Sequence, residues 1–319
     1  GKALAIIGGG WCGGSFSLQE GSKLRLSVEL AGATSWGHPN GATKPWPVAE
    51  YMPETTENHN AILIRNLSST LGGREVLREI NLEVRRGETL VILGGSGSGK
   101  STLLRHVVGL EMPTAGEVFL FGKNINRISE DEFNEIRKKI GMAFQSSALL
   151  NSMSVGDNVA LPLHEHTDLE DSTIQIMTRI KLEQVGLSGF ESFAPSQLSG
   201  GMRKRAGIAR ALAMDPEILL FDEPSAGLDP IIAAGIDDLI LKLKHAFHMT
   251  IVVVTHELTS AFLIADRIVV LDKGSILAAG TPDEIRASSL PRVQQFLQRQ
   301  PDHEVQDAER YLNSLTEEA

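Results

Sequence analysis

The chain is 319 residues long, room for one large domain or two small ones, and its 42% hydrophobic and 22% charged content is ordinary for a globular protein. A formal net charge of -10 argues against a general nucleic-acid binder, because neutralising phosphates takes clustered Lys and Arg. The single cysteine, Cys12, cannot close an internal disulfide, and no apolar run approaches the roughly 20 residues that cross a bilayer, so any role at a membrane must run through a partner.

Residues 1–58 are rich in Gly, Ser, Thr and Pro ("SWGHPNGATKPWPVAEYMPETTENHN") and show no sustained periodicity, so they read as a flexible or loosely packed extension. The opening "GKALAIIGGGWCGG" has a short apolar run with little basic character before it, a poor match to a signal or targeting peptide; the missing initiator Met points to a processed or trimmed chain. From 59 to 288, short all-apolar runs ("TLVIL", "EILLF", "TIVVV") alternate with helical stretches. Strands without polar alternation are buried on both faces, the mark of a parallel sheet covered by helices. The fold class is therefore α/β, doubly wound, with ligands expected at the carboxyl ends of the strands.

The first such end carries "GGSGSGKS", residues 94–101, which fits G-x-x-x-x-G-K-[ST] between a strand and a helix. Gly94, Gly95, Ser96, Gly97, Ser98 and Gly99 let backbone N–H groups converge on phosphates, and the helix beginning at Lys100, Ser101 and Thr102 adds its dipole. Lys100 supplies a point charge for the β- and γ-phosphates and Ser101 a hydroxyl for Mg²⁺. Gln145, closing "GMAFQ", offers an amide to the same Mg²⁺ and water network. His164 and His166 in "LHEHTD" lack a third ligand at suitable spacing and read as a solvated loop, not a metal site.

A second glycine-rich helix start follows in "QLSGGMRKRAGIARAL", with Ser199, Gly200 and Gly201 at its head. Met202, Ala206, Ala209 and Leu212 share one face of that helix, which lets it pack while its N-terminus points outward. "EILLFDEP" then sets Asp222 and Glu223 at a strand end, Asp222 as a partner for Mg²⁺ and Glu223 as the general base for an attacking water. "VVVTHE" delivers His256 to the same edge, where it would sense the γ-phosphate. Nothing matches the base-reading N/T-K-x-D of GTPases, so ATP is favoured over GTP. Residues 289–319 form a helical and acidic extension, in which "LPRVQQFLQ" offers Val293, Phe296 and Leu297, and "AERYLNSL" offers Tyr311, Leu312 and Leu315, as apolar faces for packing on the domain or a partner.

Taken together, "GGSGSGKS", "AFQ", "LSGGM", "ILLFDEP", "SAGLD" and "VVVTHE" resemble, in order, the Walker A, Q-loop, signature, Walker B, D-loop and switch-histidine motifs of ATP-binding-cassette (ABC) ATPases, over roughly residues 60 to 285. The resemblance implies a P-loop NTPase with a helical signature subdomain, and a head-to-tail pair of chains. Ser199, Gly200 and Gly201 of one chain, with Asp229 of the D-loop, would then meet the ATP held by Lys100 of the other. One departure stands out. Leu71 occupies the place where the family usually stacks adenine on an aromatic ring, so base contact would lack the roughly 1–3 kcal/mol of stacking seen elsewhere. "FQSSALLNSMSVGDNVALPLHEHTDL", "KLEQVGL" and "DEPSAGLDPI" further resemble ATPase subunits of Mce-associated, Mla-type lipid transporters and their plastid lipid-importer relatives. That narrower likeness implies a multispanning permease and an Mce-type substrate-binding protein as partners, no nucleic acid, and a peripheral position on the cytoplasmic face of the inner or plasma membrane (the stromal face in a plastid). Another importer, for amino acids or metals, or a cassette acting on ribosomes or DNA, are the rival readings.

Overall fold

The computed structural model describes residues 3–7, 10–14 and 59–301, and the chain divides into two units, 1–53 and 54–319. In the first, β1 (Ala3–Ile7) pairs antiparallel with β2 (Gly10–Gly14), Ala5 opposite Cys12.

The second unit begins with two long strands, β3 (Asn60–Leu71) and β4 (Arg74–Arg85), joined by a tight turn at Gly72 and Gly73. After β5 (Thr89–Leu93) and α1 (Lys100–Val107), β6 (Ala115–Leu120) returns beside β3 and is followed by the short β7 (Lys123–Asn124). The result is a four-stranded antiparallel sheet in the order β4-β3-β6-β7. Next come α2 (Glu130–Arg137), β8 (Ile140–Ala143), α3 (Val155–His166), α4 (Asp171–Gln184) and α5 (Gly200–Ala211). The chain then alternates through β9 (Ile218–Asp222), α6 (Pro230–Phe247), β10 (Thr250–Thr255), α7 (Leu258–Ile264) and β11 (Arg267–Asp272). It closes with β12 (Ser275–Gly280), α8 (Pro282–Arg286) and α9 (Pro291–Leu297).

The central sheet runs β12-β11-β5-β10-β9-β8 and is parallel except for β12. All three apolar runs named from the sequence lie in it, and every residue of β5 and β10 is buried. The two faces of the sheet feed different cores. Leu90 and Ile92 of β5 turn toward α1 and the antiparallel sheet, whereas Val91 and Leu93 turn toward α5 and α6. Burial on both faces is what removes polar alternation from these strands.

Between β8 and β9 lies a helical subdomain. Ser154 caps α3 in a reciprocal capping box with Asp157, and the buried Asn158 ties down the preceding loop through the backbone N–H and C=O of Leu150. The histidines read as a loop belong instead to the last turn of α3, where both are exposed. Among the described residues no group of three or more His, Cys, Asp or Glu side chains is placed to hold a metal ion, and no helix is long and apolar enough to cross a membrane. At the other end of the unit, Val293 of α9 is fully buried in the core, with Phe296 and Leu297 packed against the same cluster. Tyr311, Leu312 and Leu315 lie outside the described residues.

Candidate nucleotide site

The loop between β5 and α1 is shaped around its own lysine. The Lys100 ammonium is almost fully buried and donates to the carbonyl oxygens of Gly94 (2.9 Å) and Gly95 (3.0 Å), which fixes it inside the turn. Gly99 takes φ of 102°, a backbone that side chains rarely permit, and thereby turns the chain into α1. Gly94 is tightly packed, a Cβ there coming within 2.4 Å of the Leu271 carbonyl oxygen, whereas a Cβ placed on Gly95 or Gly97 would meet nothing within 4 Å. The Ser98 hydroxyl is buried there without a hydrogen-bond partner.

Two neighbouring strand ends complete the site. Ser101, the second residue of α1, donates its hydroxyl proton to Asp222 at the end of β9 (2.9 Å). Glu223 follows in the left-handed region, at φ of 47°, an uncommon conformation for a non-glycine residue and one found at functional sites. That twist turns its buried carboxylate back into the site. One oxygen lies 3.6 Å from the Lys100 ammonium, and the other 2.8 Å from Nδ1 of His256. The backbone N–H of His256 donates to that second oxygen as well, at 3.4 Å. His256 itself is about half exposed, so the ring can exchange this partner for another. A buried carboxylate, a buried ammonium and an imidazole thus meet beside a hydroxyl–carboxylate pair.

Lys100, Ser101, Asp222, Glu223 and His256 are therefore one cluster. The other predicted residues stand apart from it. The side chain of Gln145 is exposed beyond β8, and only its carbonyl is tied in, by Lys204 of α5 at 2.6 Å. Ser199 is the N-cap of α5 and accepts from the N–H of Met202 at 3.3 Å. Gly201 packs against Ile232, where a Cβ would come within 2.4 Å of its methyl group. Asp229 caps α6, its carboxylate accepting from the N–H groups of Ile231 and Ile232 at 3.0 Å each. Leu71 ends β3 and is 40% exposed. Sequence reasoning missed Lys204, which also donates to the carbonyl of Glu223 at 3.0 Å.

Residues 77–226 match the ABC transporter family. The chain is also 41% identical over 263 residues to the intermembrane phospholipid transport system ATP-binding protein MlaF of Haemophilus influenzae, a match covering 82% of this chain and 100% of that protein. The chain belongs to the ABC transporter ATP-binding family. It is an ATPase cassette. A second relative, the probable ribonucleotide transport ATP-binding protein mkl of Mycobacterium leprae, is 40% identical over 237 residues, 74% of this chain and 68% of that one. Among solved structures, a dimeric post-hydrolysis state of the ATP-binding cassette MJ0796 bound to ADP and Pi is similar, with a TM-score of 0.64 and 34% identity, covering 69% of this chain and 98% of that one.

Proposed function

We propose that this cassette hydrolyses ATP to drive a membrane permease that moves phospholipid or a related lipid between membranes. The observation that carries the hydrolytic part is the Glu223 carboxylate, buried between Lys100 and His256 at the mouth of the phosphate loop. A carboxylate held there is placed to take a proton from an attacking water, while the N–H groups of 94–101 and the Lys100 ammonium bear phosphate charge. Ser101 and Asp222, already hydrogen-bonded to each other, fit as holders of Mg²⁺, and the exposed amide of Gln145 would join them only by swinging inward. When bound, Mg²⁺ would neutralise charge on the phosphate oxygens. His256 would release Glu223 and turn to the γ-phosphate.

Ser199, Gly200, Gly201 and Asp229 act on the nucleotide of a second copy. The side chains of Ser199 and Asp229 serve only local caps within their own chain, and the reading accords with the dimeric state of the solved relative. Two ATP molecules would then close the pair and hydrolysis reopen it. Beside Gln145, the exposed Phe144 and Leu150 present apolar surface for permease helices, while Val155, Val159 and Leu163 further along serve the subdomain core. The position is then peripheral, on the cytoplasmic or stromal face, with an Mce-type protein handling the lipid.

The lipid assignment rests on the similarity to MlaF, and the similarity to mkl favours ribonucleotide as the second reading. Lipid analysis of separated membranes from a Lys100→Ala strain tests both. Altered phospholipid or glycolipid distribution is the expected result. Normal distribution with failed uptake of a ribonucleotide, amino acid or metal removes the lipid from the proposal and leaves the transporter.

A further inference from the structure

Helix α5 grips the segment after β8 with two long cationic side chains, both aimed at main-chain carbonyls. Arg210 donates to the carbonyls of Ser147 (3.0 Å) and Ala148 (2.7 Å), both residues with positive φ, at 63° and 47°. Nearer the start of the helix, Lys204 donates to the carbonyl of Gln145 (2.6 Å) and to that of Glu223 (3.0 Å). Lys204 is therefore a shared donor for two chain segments that sequence places far apart. Its burial disfavours the charged ammonium, and the carboxylates of Glu223 and Asp222 pull the other way.

The second of those bonds bears on the carboxylate. Glu223 stands in a left-handed conformation, and its side chain lands between Lys100 and His256 only while that backbone is held. On one side of its Cα, the N–H of Glu223 donates to the carbonyl of Val254 at 2.9 Å. On the other side, its carbonyl accepts from Lys204 and, within the turn that follows, from the N–H of Ala226 at 3.2 Å. The peptide groups flanking Glu223 are thus pinned by β10, by its own turn and by α5, and of these only α5 reaches Gln145 as well.

We infer that Lys204 is a positioning residue: it ties the main chain that carries Gln145 to the main chain that carries Glu223, so that displacement of segment 145–148 is felt at the carboxylate. The inference deepens the hydrolytic reading and rests on Glu223 being the general base.

Steady-state ATPase measurements on the full chain test it. In Lys204→Met, kcat falls about 10- to 100-fold, the scale of lost charge-assisted hydrogen bonds, while KM for ATP and the affinity for a fluorescent ATP analogue stay within about 2-fold. Lys204→Arg, which keeps charge and donors, restores kcat to within about 3-fold. Lys204→Gln, polar but too short to span both carbonyls, shows the same kcat-only loss and substitutes if the methionine variant does not fold. Adding Lys204→Met to Glu223→Gln slows turnover no further. A folded Lys204→Met or Lys204→Gln variant with wild-type kcat, or a loss shared equally by KM, overturns the inference while leaving Glu223 as base. If Glu223→Gln itself turns over normally, the hydrolytic reading falls first.

Discussion

Two helices of this cassette begin in glycine-rich turns, and they are built to opposite specifications. Before α1 the loop folds around Lys100, and around it stand Ser101, Asp222, Glu223 and His256, all in contact with one another or with the loop. Before α5 the turn holds only a cap: the Ser199 hydroxyl serves Met202 of its own helix, and Gly201 lies against Ile232. Both starts offer N–H groups and a helix dipole to an anion. The first also brings a buried ammonium, a hydroxyl–carboxylate pair and a buried carboxylate. The second brings none of these, although Lys204 and Arg210 lie further along the same helix, because those cations turn back onto carbonyls of their own chain. A glycine-rich helix start without its own machinery fits the proposal that another chain supplies the machinery.

The sharpest way to break this contrast is at the base. Glu223→Gln keeps ATP binding and loses about 10²- to 10⁴-fold in turnover, the usual contribution of a general base. The variant accumulates as an ATP-bound dimer in size-exclusion chromatography. Turnover near wild type would strip the first site of its chemistry.

A smaller effect sharpens the comparison in monomers at dilute concentration. Lys100→Ala weakens ATP binding by about 10- to 100-fold, as expected for losing a charge-assisted contact to phosphate. Ser199→Arg leaves monomer affinity within about 2-fold if, as proposed, its turn serves the other chain's nucleotide. Fluorescence titration with a labelled ATP reads both, and equal losses would mean that the two turns share one phosphate within a single chain.

Much of this was legible in the sequence. The runs "TLVIL", "EILLF" and "TIVVV" became β5, β9 and β10 because burial on both faces leaves no room for polar residues. Lys100, Ser101, Asp222, Glu223 and His256 could be named because each follows such a strand. The antiparallel sheet was hidden, as register shifts along β3 break the alternation that would have marked it. His164 and His166 were assigned to a loop, yet α3 continues through Pro162 to reach them. Proline inside a helix removes a hydrogen bond and ordinarily signals its end. Lys204 carried no signal at all. Its partners are carbonyls, which every residue has, and only the fold brings those of Gln145 and Glu223 to one ammonium.

The claim that the second turn serves another chain's nucleotide is tested most directly by mixed dimers, purified through two different tags. In one preparation, Lys100→Ala sits in one chain and Ser199→Arg in the other. Both changes then fall on the same composite site, and the second site stays whole. In the other preparation both changes sit in one chain beside a wild-type partner, and each composite site is damaged once. The account predicts ATPase activity in the first mixture and almost none in the second; equal activity in the two would contradict it.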